Sequence, residues 1–322
     1  MKLVFFDPFR QWDDVASALR AHAGIEFVHP ADNTGLAAAL GGAEVLVTGN
    51  RSYLAETAAV IREQGTALRW IQFTTSGTDN ATKHGLPSGV CVTNMAGLRA
   101  FSVAEQAFAL MLGLVRKIRA SEAARQRADW VRDALIPVAD NLAGKHLVII
   151  GLGAIGQEVA RKAKAFDMQV TAITRSREAV PNIDRVRPRE ELVVACAEAD
   201  IVLVAALYGD DTDKLLSRNA IAAMKPTAYV INIARGALVD EDALVEALTA
   251  KRIAGAGLDV TATEPLPGGH PLWSMPNVLL TPHIGGAGSD GTGASIASVV
   301  TDNLRRWIAG EKLAKLVTER TS

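Results

Sequence analysis

The chain has 322 residues, 49% hydrophobic and 21% charged. That is material for packed cores rather than bulk disorder, and at roughly 100–200 residues per domain it reads as two domains. Thirty-four Lys and Arg against thirty-five Asp and Glu leave a formal charge of −1, which argues against nucleic acid or an anionic membrane as the main partner, since both attract a basic excess.

At the start, MKLVFFDPFRQW carries a short apolar run that Asp7 and Pro8 end before a signal core could form. No segment approaches the roughly 18 uninterrupted apolar residues of a transmembrane helix. The two cysteines, Cys91 and Cys196, sit in apolar stretches without metal-ligand spacing and read as buried thiols of a reducing compartment. No metal site is expected, and the protein is expected to be soluble and cytoplasmic.

From residue 1, short apolar runs of strand length alternate with helical segments. LVFF (3–6), IEFV (25–28), VLVT (45–48) and WIQF (70–73) read as strands, with helices over 12–22 and 54–63 among them. Such alternation implies right-handed crossovers and a parallel sheet. A second series begins near residue 100. A long helix is predicted over 101–127, apolar in AFALMLGLV and then polar and basic. HLVII (146–150), the cluster GLGAIG (151–156), a helix to about Phe166 and QVTAI (169–173) follow. Strands are predicted at IVLVAAL (201–207), YVINI (229–233), GAGLDV (255–260) and VLLT (278–281), and a helix over 240–250 opens on acidic residues. The last forty residues read as helices with no new strands. Having no sheet of their own to cover, they are expected to return to the first domain. The predicted fold is therefore α/β: two doubly wound, Rossmann-like or flavodoxin-like domains with parallel sheets and an interdomain cleft, where such proteins bind ligands. The boundaries are residues 1–99 plus 285–322 for one domain and 100–284 for the other.

A G-x-G-x-x-G pattern alone is weak, but Gly151, Gly153 and Gly156 directly follow a strand and open a helix, as the dinucleotide fingerprint requires. Gly151 suits the tight turn, Gly153 the approach of a pyrophosphate, and Gly156 close packing of helix on strand; the diphosphate would rest on N–H groups at the helix start. An NAD site usually carries an acid at the end of the next strand for the ribose 2′-hydroxyl. Here that position is Thr174, followed by Arg175-Ser176-Arg177, with no carboxylate. Small hydroxyls and a guanidinium suit a 2′-phosphate, so NADP(H) is favoured and NAD(H) remains possible. The plainer alternative is that these arginines merely solvate a loop.

Three polar residues follow predicted strands. Arg235 lies in INIARGALVDE, Glu264 in GLDVTATEPLP and His283 in NVLLTPHIGG. Each alone has a dull explanation, as a surface Arg, a solvated Glu or a capping His. Together at the C-terminal edge of one parallel sheet they are the parts of carbonyl reduction: a cation for a carboxylate and a polarised carbonyl, and a carboxylate-paired imidazole to supply a proton.

These blocks, with 224–241 (MKPTAYVINIARGALVDE) and HPLWSMPNVLLTPHIGG, resemble in sequence and order the D-isomer-specific 2-hydroxyacid dehydrogenase family over nearly the whole chain. The resemblance implies a substrate domain (1–99 plus the C-terminal helices), a cofactor domain, and a homodimer built partly through an arm at 121–142. It implies Arg235 as binder of the 2-oxo acid, His283 as acid/base, and Glu264 as its partner, a carboxylate that favours the imidazolium form. It further implies Asp259 facing the nicotinamide carboxamide, and Gly151, Gly153, Ala154, Ile155, Gly156, Ile233, Ala234, His283 and Gly286 lining the dinucleotide with Thr174, Arg175 and Ser176. The backbone N–H groups of Ser76 and Gly77, in TTSGTDN, would hold the substrate carboxylate. Tyr53, residues 74–77 and 95–99, and Trp130 are expected to shape the pocket. The family's usual acid is missing at Thr174, and Leu207 stands where many members carry Pro. Trp273 reads as packing.

The implied activity is hydride transfer between NADP(H) and a small 2-oxo or 2-hydroxy acid, with glyoxylate or hydroxypyruvate reduction favoured. Alternatives are a bulkier 2-hydroxy acid or a non-enzymatic, dinucleotide-sensing corepressor-like protein. A relative acting on formate or phosphite is disfavoured, because the formate branch carries an amide where Glu264 stands.

Overall fold

The computed structural model describes residues 1–8, 13–175, 179–288 and 292–318. The chain divides into two compact units, Met1–Arg99 with Gly288–Ser322, and Ala100–Ala287. Ser176 and Arg177 lie outside the described residues.

The first unit opens β1 (Lys2–Phe6), α1 (Asp13–Arg20), β2 (Glu26–Val28), α2 (Asn33–Leu40), β3 (Val45–Thr48), α3 (Ala55–Gln64), β4 (Trp70–Phe73), α4 (Asp79–His84) and β5 (Cys91–Thr93). The second contains α5 (Ala100–Val115), α6 (Ile118–Gln126), α7 (Arg132–Leu135), β6 (His146–Ile150), α8 (Ala154–Ala165), β7 (Gln169–Ile173), β8 (Arg185–Arg187), α9 (Leu192–Glu198), β9 (Ile201–Val204), α10 (Arg218–Ala223), β10 (Tyr229–Asn232), α11 (Glu241–Thr249), β11 (Gly255–Leu258) and β12 (Val278–Leu280). The chain then returns to the first unit as α12 (Gly293–Ile308) and β13 (Leu316–Thr318).

The strand order is β13-β5-β4-β3-β1-β2 in the first sheet and β12-β11-β10-β9-β6-β7-β8 in the second. All pairings in the second sheet are parallel. Helices cover both faces, so the strands are apolar on both sides. Val148 and Ile150 of β6 enter one core with Val202, Val204 and Val230. Leu147 and Ile149 enter the opposite one with Leu203, Ile231 and the apolar face of α5. The first unit alternates likewise, with Val4, Phe6 and Leu46 on one side and Leu3, Phe5 and Val45 on the other.

The return of the C-terminal segment has a clear cause. Ile296, Ala297, Val300 and Leu304 of α12 share a core with Leu3, Phe5 and Trp70. Asn303 is fully buried; its Nδ2 donates to Gln72 Oε1 (2.8 Å) and Ala314 O (3.0 Å), and its Oδ1 accepts the Ala314 N–H (2.8 Å). Trp70 Nε1 donates to Thr93 Oγ1, which donates to Gln72 Oε1. The last forty residues are not wholly helical, however: β13 pairs antiparallel with β5, closing an edge that would otherwise present unpaired peptide groups.

The single helix expected over 101–127 is two. Lys117 is left-handed (φ 57°) and separates α5 from α6, while its Nζ reaches back to the Tyr229 hydroxyl at 3.0 Å. The turn comes where the buried apolar face of α5 runs out, so burial no longer favours a straight course. The strand expected over 201–207 ends at Val204, because the chain then turns across the glycine loop: Ala205 N donates to Ile150 O and Ala206 lies on Gly151. β5, β8 and β13 have three residues each and carry no apolar run long enough to read. Tyr53 is core rather than pocket lining. It is fully buried on Phe73, its hydroxyl donates to Gly85 O, and burial pushes its pKa up to about 12. Cys196 is buried and its thiol is likewise raised to about 12, whereas Cys91 is only half-buried. Among the described residues no helix is long and apolar enough to cross a membrane.

Candidate active site

The glycine loop joins β6 to α8 along the C-terminal edge of the second sheet. Gly151 has φ +96°, and a Cβ there would meet Ala206 Cα at 2.5 Å. A Cβ on Gly156 would lie 2.3 Å from Gly151 O. Two of the three glycines are therefore demanded by the protein's own packing. Gly153 is not: a Cβ there meets nothing within 4 Å. Gly153 is also the N-cap of the twelve-residue α8 and offers no side-chain cap. Open space before an uncapped first turn, at Ala154 and Ile155, fits a pyrophosphate drawn to the helix's positive end. At the end of the neighbouring β7, Thr174 is half-buried and Arg175 exposed, with no carboxylate at either position. Ile233 is buried and Ala234 half-buried, just beyond β10.

His283 and Glu264 meet at this edge. His283 Nδ1 lies 2.7 Å from Glu264 Oε2, and both side chains keep more than a third of their surface exposed. With a carboxylate as acceptor, Nδ1 carries the hydrogen and Nε2 is turned to other partners. Glu264 Oε1 accepts the Thr261 N–H at 3.2 Å. Burial disfavours the charged form of Glu264, but the hydrogen bond and charge of His283, the Thr261 N–H and the charge of Arg235 outweigh it and hold its pKa below the ordinary value. Arg235 thus acts electrostatically on the same carboxylate. Its backbone is set by Asn232, whose Nδ2 donates to Arg235 O (2.9 Å) and whose Oδ1 accepts the Ala234 N–H (3.1 Å).

His283 is left-handed (φ 54°), a conformation uncommon outside glycine. Asp259 holds it there. The His283 N–H donates to Asp259 O at 2.8 Å. The Asp259 carboxylate, 3% exposed, accepts Thr281 Oγ1–H (2.6 Å) and the N–H groups of Ile284 (3.0 Å) and Gly285 (2.8 Å). A Cβ on Gly285 would sit 2.7 Å from Asp259 Oδ2, so the turn that leads to Gly286 needs glycine. Sequence reasoning missed this work of Asp259, as it missed Asn232. The one available signal was a carboxylate closing an apolar strand ahead of a glycine-rich loop.

Ser76 and Gly77 lie in the first unit, beyond β4. Ser76 Oγ donates to Met95 O, Asn94 Nδ2 to Ser76 O and Thr75 Oγ1 to Gly77 O, so hydroxyls and an amide brace the loop from within. Leu207 is 86% exposed, and Trp273 Nε1 donates to Pro267 O.

Residues 108–285 match the family model described as D-isomer specific 2-hydroxyacid dehydrogenase, NAD binding domain. The chain belongs to the D-isomer specific 2-hydroxyacid dehydrogenase family. It is 35% identical over 266 residues to a Pyrococcus furiosus protein named glyoxylate reductase, covering 80% of this chain and 78% of that one. Among solved structures, a D-isomer specific 2-hydroxyacid dehydrogenase family protein from Aeromonas salmonicida superposes with a TM-score of 0.84 at 25% identity over 98% of both chains. A D-isomer specific 2-hydroxyacid dehydrogenase from Xanthobacter autotrophicus Py2, in complex with NADPH and MES, superposes with 0.83 at 26% identity, again over 98% of both. This 2-hydroxyacid dehydrogenase is an oxidoreductase that uses a nicotinamide dinucleotide.

Proposed function

We propose that this dehydrogenase works as an NADPH-preferring reductase of small 2-oxo acids, with glyoxylate and hydroxypyruvate as substrates. The observation that carries the reading is the 2.7 Å pair of His283 and Glu264, with Arg235 close enough to act on the same carboxylate. When bound, the reduced nicotinamide supplies the hydride that the keto carbon accepts. His283 Nε2 gives a proton to the oxygen as its charge develops, Glu264 holds the imidazolium through Nδ1, and Arg235 binds the carboxylate and polarises the carbonyl. As the family resemblance implies, the backbone N–H groups of Ser76 and Gly77 are also assigned to the substrate carboxylate. The unit containing Ala100–Ala287 serves as cofactor domain and the other as substrate domain.

The cofactor preference is supported by Thr174 standing where an acid would read the ribose 2′-hydroxyl, with Arg175 directly after it, and by the NADPH complex of the Xanthobacter relative. The substrate class is supported by the name of the Pyrococcus relative. The enzyme works in the cytoplasm as a homodimer built partly through residues 121–142, where Trp130 is 89% exposed and Ile136 and Val138 are also uncovered, an apolar surface suited to a second copy. Initial rates with glyoxylate, hydroxypyruvate, pyruvate and phenylpyruvate, each with NADPH and with NADH, test the proposal. Fast turnover of the two small acids with NADPH supports it; NADPH binding without turnover of any of the four overturns it.

A further inference from the structure

Glu241 is the first residue of α11 and, although charged, only 15% of its side chain is exposed. Its Oε2 accepts the backbone N–H of Ala262 at 2.8 Å. Its Oε1 lies 3.6 Å from His270 Nε2. His270 Nδ1 accepts the Leu272 N–H at 3.4 Å, which leaves the ring hydrogen on Nε2, directed at Glu241. Ala262 belongs to the short segment that carries Glu264. That segment is closed on itself, since Thr261 Oγ1 donates to Thr263 O and Thr261 N donates to Glu264 Oε1. Its side-chain tie to the helix behind it is the Glu241–Ala262 bond.

We propose that Glu241 is a positioning residue for the acid/base pair: through Ala262 it fixes the 261–264 segment so that Glu264 meets His283, and His270 holds the Glu241 carboxylate to that task. The inference rests on the reading of His283 and Glu264 as the proton-supplying pair. A carboxylate at the start of a helix also stabilises that helix through its dipole, and this second role is separable. Glu241→Asp keeps the negative charge at the start of α11 but is one methylene too short to reach Ala262. Glu241→Gln loses the charge and keeps an oxygen that accepts the same N–H.

The test uses the whole enzyme and compares kcat, KM for glyoxylate, NADPH dissociation constant by fluorescence, and Tm. Glu241→Asp is expected to lose about tenfold or more in kcat while KM and NADPH affinity stay within about threefold, a loss within the range of misplaced acid–base groups. Glu241→Gln is expected to retain most of kcat, and His270→Ala to fall between the two. Undiminished kcat in Glu241→Asp overturns the inference, as does an equal loss in Glu241→Gln, which would make the charge rather than the bond the active element. His283→Asn is run beside them. Full turnover in that variant overturns the underlying pair and this inference with it, whereas its loss together with an intact Glu241→Asp removes only the role of Glu241.

Discussion

Gly236 and Thr261 are in backbone contact: a Cβ on Gly236 would lie 2.0 Å from the Thr261 carbonyl carbon and 2.3 Å from Ala262 N. Gly236 directly follows Arg235, and Thr261 begins the turn that ends at Glu264. The contact therefore sets the spacing between the proposed substrate cation and the proposed partner of His283. Gly236→Ala must push that turn away. Turnover is expected to fall at least about a hundredfold, in line with the effect of a 1 Å misplacement, with NADPH affinity largely kept. Wild-type kcat in this variant would show that the two loops are not coupled.

His283→Asn isolates the proton donor. Asn tolerates the left-handed backbone that His283 occupies, so the loop held by Asp259 should persist. Reduction of glyoxylate is expected to slow by about 10²–10⁴-fold, with the NADPH dissociation constant within a few-fold of wild type. Lost cofactor binding with normal turnover would contradict the assigned role.

The depressed pKa of Glu264 has a signed consequence. A carboxylate with a lowered folded pKa contributes its ion pair above its unfolded value and loses it as the pH falls through the lower one. The folding stability that wild type holds over Glu264→Gln in urea unfolding is expected to be retained from neutrality down to 4.5, the ordinary Glu value, and to be lost only as the pH falls below it. A drop beginning above that pH would refute the ordering of charges around Glu264.

Arg175→Ala tests cofactor choice. A charge-assisted bond to a 2′-phosphate is worth about 1.5–3 kcal/mol, so NADPH affinity should fall roughly 10- to 100-fold while NADH affinity barely changes. Titration with both cofactors decides it, and equal losses would mean that Arg175 does not read the phosphate.

Asn303→Leu removes the polar staple that ties the C-terminal segment to the first sheet. Ala314 loses both partners and Gln72 loses one, which should cost about 2–4 kcal/mol in the unfolding of that unit. Urea unfolding followed by tryptophan fluorescence reports it, because Trp70 lies in the same hydrogen-bonded group. NADPH affinity should be untouched.

What the sequence determined by itself was whatever is written in short range. Strand and helix periods repeat every few residues, so the two α/β series, the glycine turn at 151–156 and the positions of Arg235, Glu264 and His283 at strand ends were all legible. Other features depend on which distant backbones come together. Gln72 and Asn303 stand 231 residues apart, and nothing in α12 announces the buried bond between them. β13 is too short to read and exists only because β5 presents an open edge. Lys117 ends α5 because the core it packs on ends there. Asp259 shows its purpose only once the 281–285 loop folds over its carboxylate, and Gly236 only once Thr261 lies against it. Local sequence chooses elements and places reactive side chains at their ends. The ångström-scale spacing between those side chains is set by close packing and by the need to satisfy buried polar groups, and both are properties of the assembled chain.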